Sequence, residues 1–132
     1  LCDRDKPQAD IIARSLAASG FDLAATAGTA RYLSGLGIGC RAVKKVSEGR
    51  PNVVDAIKNN EIRLIINTEG GPDASRDGYA IRRAALAKDI PYATTLSAAL
   101  AMCLAMESLR ISQKAVMSLQ EYCQCMTEVF TK

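Results

Sequence analysis

Thr26, Ala27, Gly28 and Thr29 form a short turn of hydroxyls and unhindered backbone directly after the apolar residues 21–25. Where a strand runs into a helix, such a turn offers an anion both hydroxyl donors and the free N–H groups of the first helical turn. Asn67 with Thr68, and Thr94 with Thr95, follow two further apolar runs, 64–66 and 90–93. Lys45 stands near the end of another candidate strand, 40–46, and Lys6 at the first strand-to-helix junction, so each can bring a cation. Hydroxyls, helix N–H groups and lysines are the donors that a phosphate needs. Singly they are weak signals: a threonine after a strand is an ordinary cap, Asn67 and Thr68 can close a turn, and a lysine is an ordinary solvated residue. Their meaning depends on whether one fold brings the turns together.

The chain has no histidine, the side chain that most often shuttles protons at neutral pH. Asp22, Glu48, Glu69, Asp73 and Asp77 lie in or near the loops, and they read as capping or solvated groups rather than catalytic ones. Phosphate binding without a proton shuttle points to sensing, so no catalytic residue is assigned. Five cysteines, Cys2, Cys40, Cys103, Cys123 and Cys125, contain no CxxC pair, which argues against a zinc site and a secreted disulfide framework. Reduced thiols in a cytoplasmic protein fit better, with Cys103 in the core and Cys123 and Cys125 partly exposed. No metal and no cofactor are expected. Lysine and arginine exceed acidic residues by 17 to 14 without a basic run, which disfavours nucleic acid. The longest apolar stretch is interrupted by Ser97 and ended by Glu107, too short to cross a bilayer.

Positioning these groups falls to a chain of 132 residues, enough for one domain with a real core. Leu1, Cys2, Asp3, Arg4 and Asp5 lack the form of a signal peptide and read as the end of a strand cut from something longer. Asp5 as a cap and Pro7 in the first turn predict a helix that turns Ile11, Ile12 and Leu16 inward and stops at Ser19 and Gly20. The pattern then predicts a strand at 21–25, a helix through Tyr32 and Leu33 to Leu36, a strand at 40–46 and a helix at 53–58. The continuous apolar run 64–66 reads as a buried parallel strand. A helix at 77–88, a strand at 90–93 and an alanine-rich helix capped by Thr94 or Thr95 and reaching Ser108 follow. A weak strand around Val116 and a helix from Leu119 complete the series. Alternation at crossover spacing predicts a three-layer α/β/α domain with a central, mainly parallel sheet, Rossmann-like in design. In such sheets the loops leaving the strands' carboxyl ends share one edge, and the polar turns fall there.

Over nearly its whole length the chain resembles the methylglyoxal-synthase-like domains, and within them the carboxy-terminal allosteric domain of the carbamoyl-phosphate synthetase large subunit. The resemblance rests on FDLAATAGT at 21–29, VKKVSEGRP at 43–51, IINTEG at 65–70, YAIRRAA at 79–85, IPYATT at 90–95 and VMSLQE at 116–121. It implies a nucleotide monophosphate effector, UMP or IMP, for a parent ATP-dependent ligase of pyrimidine and arginine synthesis. Lys6, Thr26, Thr29, Lys45 and Asn67 match the family's phosphate-binding positions, and the backbone around Thr94 resembles part of an ornithine-binding face. Partners implied are the rest of the large subunit, the glutaminase small subunit and a second copy of the domain. Glu69 departs from the family, which often carries threonine there, and a carboxylate beside a phosphate repels it. Ala27 stands where some relatives carry histidine. The alternatives are a structural or oligomerisation domain that has lost its effector response, a methylglyoxal synthase, disfavoured by the missing histidine, and a purine-synthesis cyclohydrolase, disfavoured by its motifs.

Overall fold

The computed structural model describes residues 1–68, 70, 72–111 and 118–120. A 3-10 turn, Asp3–Gln8, carries Pro7 and leads into helix α1, Ala9–Ala18. Asp5 does not cap a helix. It lies inside the 3-10 turn, where its carboxylate accepts a hydrogen bond from the Cys2 thiol at 3.0 Å. The helix stops where expected: the Ser19 N–H bonds back to the Ser15 and Leu16 carbonyls, and Gly20 takes a φ of 86° that suits glycine. Ile12 and Leu16 are buried, but Ile11 is 62% exposed. The inward stripe is set by Ala9, Ile12, Ala13 and Leu16, and Ile11 is rotated off it.

The remaining elements are β1 (Ala24–Thr26), α2 (Ala27–Gly35), β2 (Arg41–Val43), α3 (Val53–Lys58), β3 (Ile65–Ile66), α4 (Pro72–Leu86), β4 (Tyr92–Ala93) and α5 (Leu96–Ile111). β2 is shorter than the apolar pattern implied. The Lys44 carbonyl accepts from the Val53 N–H and the chain turns into a 3-10 segment, Val46–Glu48, so the ladder stops at Val43. α4 starts earlier than expected, at Pro72, a residue suited to a first turn because it has no N–H to lose. Val116, Cys123 and Cys125 lie outside the described residues, while Leu119 and Gln120 are helical.

β1 pairs in parallel with β2, matching Ala24 to Arg41 and Thr26 to Val43, and β3 pairs in parallel with β4, matching Ile65 to Tyr92 and Ile66 to Ala93. Among the described residues these are two separate pairs. Successive strand residues point to opposite faces, and the core follows this alternation. Ile66 packs with Ile12 and Leu16 of α1 and Ala99 and Cys103 of α5. Ile65 packs with Ile57 of α3 and Ile81 and Ala85 of α4. Leu33 of α2 joins the α1 side through Ala13 and Ile38. Helices therefore cover both faces, and the fold is α/β and Rossmann-like.

Ile57 has no exposed surface. Replacing it with alanine is expected to lower the urea-unfolding free energy by about 2–5 kcal/mol, the usual cost of lost burial plus a cavity. The matched Ile11→Ala change should stay within about 0.5 kcal/mol of the parent. Equal losses at the two positions would refute this division between core and surface.

Candidate phosphate-binding site

Thr26 ends β1 and occupies the cap position of α2, with extended backbone (φ −65°, ψ 152°) and no side-chain capping bond. Its hydroxyl is thus not consumed by the helix, and the N–H groups of Ala27, Gly28 and Thr29 have no partner within it. Thr29 is 4% exposed, and among the described residues its hydroxyl is the buried side-chain oxygen without a hydrogen-bond partner. Leaving such a group unmatched costs about 1–3 kcal/mol. It is the kind of atom whose partner is a water or an ion. Gly28 lets a cation approach: a Cβ there would stand 3.3 Å from the Lys6 ammonium. Helix start and ammonium thus meet at Gly28, and the helix dipole adds to the positive charge there.

Lys6 is held there by its own turn. The Cys2 N–H donates to the Thr68 hydroxyl at 3.0 Å, and the Cys2 thiol donates to Asp5. The hydrogen bonds from Cys2 and then Thr68 hold the Asp5 carboxyl below the usual carboxylate range. Gly70 allows this close approach, because a Cβ at that position would come within 2.5 Å of the Cys2 Cβ. The turn is thereby tied to the end of β3, and Lys6 projects over α2. Asp3 pairs with Lys6, which holds the Asp3 carboxyl below its ordinary range, with Lys45 adding a smaller attraction. The same exposed carboxylate thus feels both lysines.

Lys45 precedes the Val46–Glu48 turn, and its N–H donates to the Glu48 carboxylate at 2.9 Å. The Ser47 hydroxyl donates to Asp77 at 3.0 Å, which pins this loop to α4. Glu48 and Asp77 therefore act as loop anchors, in keeping with their reading as capping groups. Asn67 donates from its side-chain nitrogen to the Tyr92 hydroxyl at 3.0 Å and from its backbone to the Ala93 carbonyl at 2.9 Å. Thr95 caps α5 by accepting from the Ala98 N–H at 3.1 Å, whereas Thr94 is exposed at the end of β4.

The structure thus gathers Lys6, Thr26, Gly28 and Thr29 around the start of α2, with Lys45 close enough to act on the same carboxylate. Asn67 and Thr68 stand at the end of β3. Thr68 is 6% exposed and already engaged with Cys2 and Asp5, so it positions the Lys6 turn. Thr94 follows β4, the strand paired with β3. Glu69 lies outside the described residues. Sequence reasoning missed Asp3, Cys2 and Gly70, and it gave Asp5 the wrong task. A signal for Asp3 was available, since its spacing of three from Lys6 suits an ion pair on a helical turn. Nothing local flagged Gly70, whose role arises from a contact 68 positions away in the chain.

Parallel strands between helical layers, with lysines and helix N–H groups at the strands' carboxyl ends, define an α/β domain. The chain belongs to the family of MGS-like domains, whose model matches residues 9–94. It is 57% identical over 108 residues to the carbamoyl phosphate synthase large chain, C-terminal section, of Methanopyrus kandleri, covering 81% of this chain and 20% of that relative. It is 48% identical over 120 residues to the carbamoyl phosphate synthase large chain of Pseudomonas putida, covering 90% of this chain and 11% of that one. The corresponding protein of Myxococcus xanthus is 46% identical over 120 residues, again covering 91% and 11%. The chain therefore spans between 11% and 20% of the length of these relatives.

Thr29→Val removes the unmatched hydroxyl while keeping the side chain's shape. In the absence of anion, unfolding free energy should be unchanged or higher, because no hydrogen bond is lost. Phosphate affinity measured by calorimetry should fall roughly tenfold or more, the worth of a hydrogen bond to a charged group. A destabilised variant with unchanged affinity would make Thr29 a purely structural residue.

Proposed function

We propose that this domain is the effector-binding part of a carbamoyl phosphate synthase large subunit and that it performs no chemistry itself. The effector is a nucleotide monophosphate, UMP or IMP, whose phosphate is held by Lys6, Lys45, Thr26, Thr29 and the backbone at Gly28, with Asn67 alongside. The observation that carries this reading is the start of α2, where the Lys6 ammonium lies over Gly28 and the buried Thr29 hydroxyl has no partner. Family membership and the similarity to carbamoyl phosphate synthase large chains support the parent assignment. A sequence without histidine supports sensing over proton-transfer chemistry.

Further partners follow from the same reading: the remainder of the large subunit, the glutaminase subunit, and ornithine at the face near Thr94. Leu100, Leu104 and Leu109 leave an apolar strip exposed along α5, which favours a contact surface towards such a neighbour. Regulation then arises because the effector binds one arrangement of the subunit better than another, and substrates must alter effector affinity in return. A cytoplasmic location belongs to this proposal, and no helix among the described residues is long and apolar enough to cross a membrane.

Calorimetric titration with UMP and IMP, alongside an assay for methylglyoxal formation from dihydroxyacetone phosphate, tests the proposal. Saturable binding of at least one nucleotide without turnover is expected, with Lys45→Ala and Thr26→Ala each weakening it roughly tenfold while melting cooperatively like the parent. Turnover would make the domain an enzyme. Absence of binding by both nucleotides would leave it a structural module.

A further inference from the structure

The two lysines of the candidate site are held by different contacts that share one property. The turn carrying Lys6 is tied down where the Cys2 N–H donates to Thr68, just past β3. Lys45 lies in the segment between β2 and α3, and that segment is tied to α4. Both cations are therefore placed by bonds to the part of the fold built from β3, α4 and β4. Thr26, Gly28 and Thr29, by contrast, belong to β1 and α2.

The Lys45 segment keeps its shape through bonds of its own. The Lys45 N–H donates to the Glu48 carboxylate at 2.9 Å, and the Glu48 N–H to the Lys45 carbonyl at 3.2 Å. The Asn52 side chain donates to the Gly49 carbonyl at 3.0 Å, and the Val53 N–H closes the base on the Lys44 carbonyl at 3.1 Å. All four bonds lie within residues 44–53, so they do not fix how the segment sits on the rest of the molecule. Contact with α4 does. Val46 packs against the cluster that contains Ile81 and Ala85, while the Ser47 hydroxyl at 3.0 Å and its N–H at 3.5 Å donate to one oxygen of Asp77. Asp77, Ile81 and Ala85 follow one another at intervals of four, so a single stripe of α4 receives both contacts. Burial of Val46 is non-directional, whereas a hydrogen bond has a preferred geometry and sets the orientation. Lys45 is two residues from Ser47, and its main chain is held wherever that bond holds the turn.

Charge alone assigns Asp77 the opposite effect. A carboxylate beside the Lys45 segment repels a bound phosphate, so its removal should help binding. A brace for Lys45 has the reverse sign. We propose that Asp77, acting through the Ser47 hydroxyl, is a positioning residue for Lys45 that strengthens phosphate binding even though its own charge opposes the anion. This rests on the reading of Lys45 as a phosphate-holding residue. What the role requires of residue 77 is an acceptor oxygen, not a charge.

The test is calorimetric titration of the whole chain with inorganic phosphate, in the parent and in Asp77→Ala, Asp77→Asn, Ser47→Ala, Lys45→Ala and the Lys45→Ala, Asp77→Ala double variant. Asp77→Ala and Ser47→Ala should each weaken binding about three- to tenfold, the net worth of one hydrogen bond. Asp77→Asn should bind at least as tightly as the parent, because its carboxamide oxygen still accepts from Ser47 and the opposing charge is gone. In the Lys45→Ala background, Asp77→Ala should cause no further loss, because no ammonium remains to be positioned. If Asp77→Ala fails to melt cooperatively, Ser47→Ala decides in its place. Undiminished affinity in Asp77→Ala and Ser47→Ala, with Lys45→Ala weakened, would overturn this proposal and leave the phosphate site standing. So would a loss from Asp77→Ala of the same size with and without Lys45. Unchanged affinity in Lys45→Ala itself would instead overturn the reading of Lys45 as a phosphate-holding residue, and the positioning role with it.

Discussion

Parallel strands cannot return to one another by a tight turn; each must be carried back by a crossover, and that constraint arranges this molecule. α2 carries the chain from β1 to β2, and α4 carries it from β3 to β4. Within each pair the strands consequently end at the same edge. Thr26 at the end of β1 and Lys45 after β2 owe their shared edge to this geometry rather than to proximity in sequence, as do Asn67 after β3 and Thr94 after β4. The crossover helices α2 and α4 bury Leu33, Ile81 and Ala85, so the elements that align the polar turns also form part of the core.

The character of that edge comes from local placement and not from total charge, since the chain's net charge is only +3. Lys6 is 19% exposed in its side chain and fixed by a turn that Cys2, Asp5 and Thr68 brace, whereas its partner Asp3 is 92% exposed. An ion pair with one restrained and one freely solvated member contributes little to stability. It leaves a cation held in place with an easily displaced carboxylate as counter-ion. Unmatched N–H groups at the start of α2 and the orphaned Thr29 hydroxyl complete the arrangement on which the proposed anion site rests.

The sequence made the fold legible where periodicity was long or chemistry was local. The α/β class, the helix at 53–58, the stop at Ser19 and Gly20 and a cap at Thr94 or Thr95 all rest on signals within a few residues, and the structure has each of them, with Thr95 as the cap. Strand lengths were less legible, because the end of β2 depends on Lys44 bonding to Val53, a contact that apolar patterning does not encode. Ile11 was misplaced because the adjacent Ile11 and Ile12 cannot be assigned to one helical stripe without knowing which face meets the sheet. In the candidate site, Thr26, Gly28, Thr29 and Lys6 stood out by residue type. The braces that hold Lys6 did not, since Cys2, Asp5 and Thr68 acquire their roles only when the first turn folds against the end of β3.

The central claim is that the amino end of α2, under Lys6, receives a phosphate group. Two-dimensional 15N NMR during a titration with UMP, IMP and inorganic phosphate addresses it directly, because the backbone amides themselves are the reporters. The account predicts saturable, coincident shifts of the Gly28 and Thr29 amides, with the amides of α3 unmoved. Shifts confined to other surfaces, or none at all for any of the three anions, would contradict it.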